Sequence, residues 1–300
     1  MENELVEGYR LSPQQRAAWR GGCGRAVSCR IEVTGPLEDQ RLRDAIRQVI
    51  ARHQILRTGF RTVSGLNYPL QQIHSDSSPE LLEFAWEHHS PTQHTLRIAA
   101  SPLCADPATL RLMAREIRAH CIGAAACEEA LPYIQFAEWM NELSSDDGAD
   151  AGRQFWLART ASVTPMVLPD ERQEGGGSMC LSRVVEGRSL CRLAEQLQVP
   201  LSTVLMAALA VQFWRRTGES QTALYNLFPC RKYAELQEAI GPIARFLPVL
   251  MSMRPSLTFD ELVRKIVADL QEIEAVEEYY GDESNEGGIG FEYREEEEGG

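Results

Sequence analysis

The apolar residues of this chain fall into runs with the two periods of regular secondary structure, and those runs divide it into elements. Residues 11–20, L-S-P-Q-Q-R-A-A-W-R, predict a capped helix. Ser12 stands at the N-cap, Pro13 at the first helical position and Gln15 three residues past the cap, a capping-box arrangement. Alternation over 27–34, V-S-C-R-I-E-V-T, predicts a strand. Residues 37–53 predict an amphipathic helix with Leu42, Ala45, Ile46, Val49 and Ile50 on one face. The stretch 52–60 leads into a strand, 68–73 predicts another, and 81–86 fits either element. The apolar run 95–100 predicts a strand that stops at Ser101-Pro102. Asp106 then caps a helix over 108–121, with Leu110, Met113 and Ile117 on its apolar face. Helical patterns follow over 133–143 and 151–160.

Residues 165–178, ending in E-G-G-G-S, have the composition of a connection. Beyond them the pattern predicts a strand over 179–185, helices over 188–198 and 201–216, strands over 222–228 and 246–253, and a helix over 259–273. The body of the second of these helices, L-M-A-A-L-A-V-Q-F-W, is apolar enough to be buried on most sides. Both halves run strand, helix, strand, so the expected class is α/β (α+β) with two similar lobes. The division expected is a first lobe over 1–164, a linker over 165–178, a second lobe over 179–275 and an acidic tail over 276–300. Residues 288–293, G-I-G-F-E-Y, read as one last strand.

At 300 residues and 44% apolar, the chain can bury a sizeable core. No apolar run reaches the roughly 18–20 residues needed to span a bilayer, so no membrane role is expected. The start, M-E-N-E-L-V-E-G, is acidic and is not a signal peptide, which makes the expected location cytoplasmic. The 8 cysteines include no C-x-x-C pair, so free thiols are expected and no metal site. The net charge of −13 is concentrated: residues 271–300 hold twelve Asp and Glu against one Arg, leaving the rest near −2. Such a tail repels phosphate backbones and argues against a nucleic-acid partner. E-E-E-E-G-G at its end reads as a solvated terminus or as a docking tail for a basic partner.

The corner at 97–110, R-I-A-A-S-P-L-C-A-D-P-A-T-L, carries one carboxylate and a thiol. It holds no His, no Lys and no Ser–His pair, so nothing in it takes up a proton near neutral pH. Cys104 is a nucleophile only if a cation depresses its pKa, and no His neighbours it in sequence. Ser101 lacks a visible base.

Several segments, in this order, resemble the condensation-domain superfamily of nonribosomal peptide synthetases. L-S-P-Q-Q-R-A-A-W at 11–19 is similar to that family's first motif, and R-H-Q-I-L-R-T-G-F at 52–60 to its second, the most specific match. Y-I-Q-F-A-E-W at 133–139 is similar to its fourth and I-G-P-I-A-R-F at 240–246 to its fifth. The stretch 201–231, ending in F-P-C-R, shares the family's cadence. The resemblance covers roughly 8–255. It implies two chloramphenicol-acetyltransferase-like lobes in a V-shaped pseudo-dimer. Carrier-protein phosphopantetheine arms would enter a tunnel between the lobes. No other cofactor is implied. Family members continue past the point corresponding to Gly300, so the second lobe is expected to be incomplete and its sheet to have an open edge.

The family's catalytic motif is H-H-x-x-x-D-G, and only S-P-L-C-A-D-P at 101–107 fits its slot. The resemblance puts Ser101 and Pro102 where the two His belong and matches Asp106 to the structural Asp. It makes Arg57 that Asp's ion-pair partner, and it lays Cys104 and Arg245 along the tunnel. Arg245 stands where the family carries Asn, and reads either as a surface strand residue or as a cation narrowing the channel. An amine attacking a thioester needs a base and a donor for the developing oxyanion. Pro supplies neither. The leading expectation is a non-catalytic docking or scaffold module for a peptidyl or acyl carrier protein, a synthetase module or a tailoring enzyme. The alternative is an active acyl or peptidyl transferase that joins carrier-bound thioesters without the usual His.

Three further signals have plain readings. His88-His89 is the only His pair, but no Asp follows at the motif's spacing, so surface histidines in a loop are expected. His53 matches a position the family uses structurally. G-G-G-S at 175–178 lacks the Lys-Ser/Thr and strand–helix frame of a phosphate loop.

Overall fold

The computed structural model describes residues 8–24, 26–75, 81–124, 131–143, 147–161, 164–166, 181–281 and 288–294. Contacts divide the chain into two compact units. One comprises Met1–Asp150 and Pro229–Arg245, the other Ala151–Phe228 and Phe246–Gly300. The division falls at 150, earlier than the 164 expected from composition, and a segment from the second half of the sequence returns to the first unit.

The first unit opens with α1 (Pro13–Arg20), whose capping box is complete: Gln15 N–H donates to Ser12 Oγ at 3.1 Å and Ser12 N–H to Gln15 Oε1 at 3.0 Å. Strands β1 (Val27–Thr34), β4 (Leu82–Ser90) and β5 (Gln93–Ala100) form an antiparallel sheet in the order β1-β5-β4. The ambiguous stretch at 81–86 is therefore a strand, and it continues through His88 and His89, which were expected in a loop. Its apolar residues alternate, and β4–β5 pairing supplies the hydrogen bonds that a short run cannot announce in sequence. Helices α2 (Asp39–Arg52) and α3 (Pro107–Ile122) present Leu42, Ala45, Ile46, Val49, Leu110, Met113 and Ile117 to a core shared with Leu96 and Ile98. β2 (Thr58–Arg61) and β3 (Leu70–Ile73) make a separate two-stranded sheet. α4 (Tyr133–Leu143) adds Phe136, Ala137 and Met140 to the core.

Two buried ionisable groups, His53 and Glu116, pair beside this core. His53 Nε2 donates to Glu116 Oε2 at 2.8 Å, both side chains being under a tenth exposed. Burial pushes the Glu116 carboxyl up, but the His53 hydrogen bond and charge, with Arg52 and His120, outweigh it and hold the group below its ordinary range.

The second unit contains α5 (Asp150–Thr160), β6 (Thr164–Pro165), α6 (Arg188–Leu197), α7 (Leu201–Thr217), β7 (Gln221–Phe228), β8 (Arg245–Ser252), α9 (Phe259–Ala275) and β9 (Gly290–Phe291), while α8 (Ala234–Gln237) lies on the 229–245 segment of the first unit. Its sheet runs β6-β7-β8, with β9 also pairing β7 in parallel. The strand expected over 179–185 is not formed in its described part: residues 181–187 are irregular, with Leu181, Val184 and Val185 exposed, because no strand among the described residues offers their backbone a ladder. α7 buries Val204, Met206, Ala207, Ala210 and Phe213, but several of its other apolar residues are only half-buried.

β8 ends the sheet order. Side chains bond part of its backbone. Leu250 N–H donates to Asp269 Oδ2 at 3.1 Å, Arg159 Nε donates to the Pro248 carbonyl at 3.4 Å, and Arg159 and Asp269 form a largely buried ion pair. The described part of the acidic tail is also structured. Val276 O accepts from Trp156 Nε1, Tyr280 packs edge-on against the same ring, and β9 joins the sheet. The terminal E-E-E-E-G-G, the G-G-G-S and most of the expected linker lie outside the described residues. No single helix among those described is long and apolar enough to cross a membrane.

Candidate functional site: the 101–107 corner and its clasp

The corner between β5 and α3 is a closed hydrogen-bonded turn. Ser101 O accepts from Cys104 N at 3.0 Å and Ala105 N at 3.1 Å. Pro102 thus sits at the second position of a turn, where its fixed φ is favourable. The site therefore suits a proline locally, whatever its chemistry. Ser101 N–H donates to Leu81 O, and Ser101 Oγ accepts from Leu103 N at 3.3 Å. No His or carboxylate among the described residues is recorded within hydrogen-bond reach of Ser101 Oγ. Gln15 Nε2 holds the turn from α1, donating to Leu103 O at 3.0 Å and to Gln71 Oε1 at 2.9 Å.

Cys104 is fully buried in the core, and its thiol donates weakly to Leu81 O and Ser101 O. Burial pushes that thiol up to about 12, the opposite of what a nucleophile needs.

Asp106 is the centre of the arrangement. As N-cap of α3 it accepts from Thr109 N at 2.7 Å. It also accepts from Ile243 N at 3.0 Å and Ala244 N at 2.8 Å, and from Arg231 through Nη1 at 2.7 Å and Nη2 at 3.1 Å. A carboxylate with five donors on it has no lone pair left for a substrate.

The partner of Asp106 is therefore Arg231, and the expected Arg57–Asp106 pair does not form. Arg57 sits at the end of a short 3-10 turn entering β2 and donates to the carbonyl of His74. The physical reason is reach and register. Residues 229–245 fold back onto the first unit, and Arg231 comes in with its carbonyl neighbours Ala239 and Gly241, both of which its Nη2 also meets at 3.3 Å. The Arg231 and Asp106 side chains are 7% and 6% exposed, so this is a buried, bidentate pair rather than a surface one.

Two more side chains fasten the same segment. Thr109 Oγ1 donates to Gly241 O at 2.7 Å and accepts from Gly241 N at 3.0 Å. Tyr133 Oη donates to Pro242 O at 3.1 Å, which leaves Ser12 Oγ to donate to it at 2.7 Å. Burial, with the nearby Asp106 charge, pushes the Tyr133 phenol far up, so it stays a neutral donor. Gly241 has φ +149°, and a Cβ there would collide with the Tyr133 ring, so the close approach requires glycine. Arg245 is buried at the start of β8, which removes the surface-residue reading. Its positive charge acts on Tyr133.

Of the sequence-derived site residues, the structure brings together Ser101, Pro102, Cys104 and Asp106, with Arg245 nearby, and leaves Arg57 apart. It adds Arg231, Thr109, Tyr133 and Gly241. Thr109 and Tyr133 sat inside motifs already singled out. Arg231 closed the F-P-C-R stretch, but nothing local to it signals a partner 125 positions away. Among the described residues no three His, Cys, Asp or Glu side chains gather as a metal site would need.

A family model described as Condensation domain matches residues 77–282. The chain is 23% identical over 286 residues to chondramide synthase cmdD of Chondromyces crocatus, covering 79% of this chain and 7% of that protein. It is 25% identical over 293 residues to AMB antimetabolite synthetase AmbE of Pseudomonas aeruginosa, covering 83% and 14%. The chain thus spans a small fraction of the length of these curated relatives. Among solved structures, the first condensation domain of the calcium-dependent antibiotic synthetase in complex with substrate analogue 2a superposes with TM-score 0.77 at 17% identity, over 96% of this chain and 81% of that one. The X-domain in complex with OxyB from teicoplanin biosynthesis gives TM-score 0.70 at 21% identity, over 92% and 74%. At these identities the solved structures establish the fold.

Proposed function

Because this chain belongs to the condensation-domain family, we propose that it serves natural-product assembly as a docking module that forms no amide bond itself. It would hold a peptidyl or acyl carrier protein, a synthetase module or a tailoring enzyme. The observation that carries this reading is the closed corner at 101–107. Ser101 has no base, the Cys104 thiol is buried and protonated, and the Asp106 carboxylate is saturated by five donors. Nothing there can take the proton from an attacking amine, a contribution worth about 10²–10⁴ in rate where such a group is positioned. Meanwhile the motif's Asp106 is kept and densely bonded. That a structural neighbour is an X-domain in complex with OxyB supports the idea that this fold can serve to hold another protein.

The test is an intact-mass assay. Donor-loaded and acceptor-loaded carrier proteins of the same pathway are mixed with and without the chain, and the same mixtures are run on a sizing column. The expected result is co-elution with a carrier, synthetase or tailoring enzyme and no new amide on the acceptor. Amide product that requires the chain would overturn the docking reading in favour of a transferase working without the usual His.

A further inference from the structure

We propose that Asp39, His88, His94 and the Gly35 carbonyl form a proton-dependent latch that ties the tip of the β4–β5 hairpin to the start of α2. His88 and His94 are register partners across the two strands, so both rings lie on one face of the sheet. That face is the one carrying Phe84, Trp86, Leu96 and Ile98 to the core. His94 is 2% exposed, while His88 is open to solvent.

The hydrogen bonds run in series. His88 Nε2 lies 2.7 Å from Asp39 Oδ1, His88 Nδ1 lies 2.6 Å from His94 Nδ1, and His94 Nε2 lies 3.0 Å from Gly35 O. Both ends of this series only accept: one is a carboxylate oxygen, the other a backbone carbonyl. Each ring must therefore carry a proton on Nε2, and the central contact needs one more between the two Nδ1 atoms. Three protons are required, and two neutral imidazoles supply two. The complete series exists only when the pair holds one positive charge.

The surroundings fit that charge. Asp39 stands in the first turn of α2, and the His88 hydrogen bond holds its carboxyl below the usual range. Trp86 Nε1 also donates to Asp39, at 3.3 Å, and Arg43 lies over the Trp86 ring, 4.8 Å from its centroid. Glu38 precedes Asp39 at the helix N-cap. β1 places Val33 beside His94, so it brings no titratable group to this face. On the sheet's other face His89 bonds Thr95, which donates to Glu32, a separate chain of contacts.

When the extra proton leaves, one junction must fail. Either two Nδ1 lone pairs face each other, or a ring lone pair faces the Asp39 carboxylate or the Gly35 carbonyl. Since the folded state binds this proton, the latch contributes on the acid side and weakens when the proton is lost as pH rises. The segment that loosens is the Gly35–Asp39 connection with the hairpin tip, which Gly35 N–H and Thr92 O also join at 2.9 Å.

Two measurements on the full chain test this. Long-range ¹H–¹⁵N spectra at pH 6 are expected to show His88 protonated on both ring nitrogens and His94 as the Nε2–H tautomer. Hydrogen exchange of amides 35–39 and 88–94, corrected for intrinsic rate, is expected to lose about tenfold in protection between pH 5.5 and 8, the scale of one charge-assisted hydrogen bond. Asp39→Asn keeps the side chain's shape but ends the need for a cation, and is expected to cut that change to under about twofold; His88→Gln removes the titrating ring and does the same. A neutral His88 at pH 6, or an undiminished pH response in both variants, would overturn the latch.

Discussion

Removing the Asp106 carboxylate is expected to destabilise the first unit far more than removing the Arg57 guanidinium. In Asp106→Ala, the Arg231 side chain, 7% exposed, keeps its charge and loses its counter-ion. That alone costs about 3–5 kcal/mol. The N-cap of α3 goes with it, about 1 kcal/mol more, and the N–H groups of Ile243 and Ala244 lose their acceptor. The total, about 5 kcal/mol, rivals the entire stability of an ordinary domain, about 5–15 kcal/mol. Arg57→Ala gives up a hydrogen bond to the His74 carbonyl from a half-buried position. That is worth about 1 kcal/mol. Arg231→Met should resemble Asp106→Ala, because it strands the carboxylate. The double variant Asp106→Leu with Arg231→Met should be less destabilised than the two single effects added together, since no uncompensated charge remains. Urea unfolding followed by circular dichroism separates these cases through the midpoint at constant slope. An Arg57→Ala midpoint shift equal to that of Arg231→Met would refute the reasoning, as would a strictly additive double variant.

Other outcomes follow from the same contacts. In the native chain, iodoacetamide at pH 8 should label the exposed Cys191 and spare Cys104 until the protein unfolds; prompt labelling of Cys104 would contradict its burial and raised pKa. Glu116, whose carboxyl is held below its ordinary range, contributes stability that is present above the unfolded pKa, about 4.3, and lost as pH falls below it. Glu116→Gln should therefore flatten the acid limb of the stability–pH curve, and an unchanged limb would count against the His53 contact. Asp269→Ala leaves Arg159 buried without its partner and frees the Leu250 N–H on the strand that ends the sheet order, so light scattering should detect self-association alongside a stability loss of about 3–5 kcal/mol. Pro102→Ala should leave the turn formed and cost under about 1 kcal/mol, since Pro there restricts the unfolded chain more than it bonds the folded one.

Much of this protein was legible in its residue pattern, because local rules dominate there. The Ser12–Gln15 capping box, the Asp106 cap and the apolar faces of α2 and α3 depend on residues three to seven apart, and each forms as its spacing predicts. The loss of a base at 101–107 was also visible, since it is a matter of which residues are present. Three things required the tertiary structure. Strand status at 181–185 and 81–90 depended on whether a neighbour supplied a ladder, and alternation alone could not distinguish them. His88 and His94 acquired a relationship only when a hairpin set them opposite each other. The partner of Asp106 was decided by a segment more than 120 positions away that folds back onto the first unit, bringing Arg231 to a carboxylate that motif order had given to Arg57. A buried charge is satisfied by whichever opposite charge the packing brings within bonding distance, and that distance is a property of the folded chain.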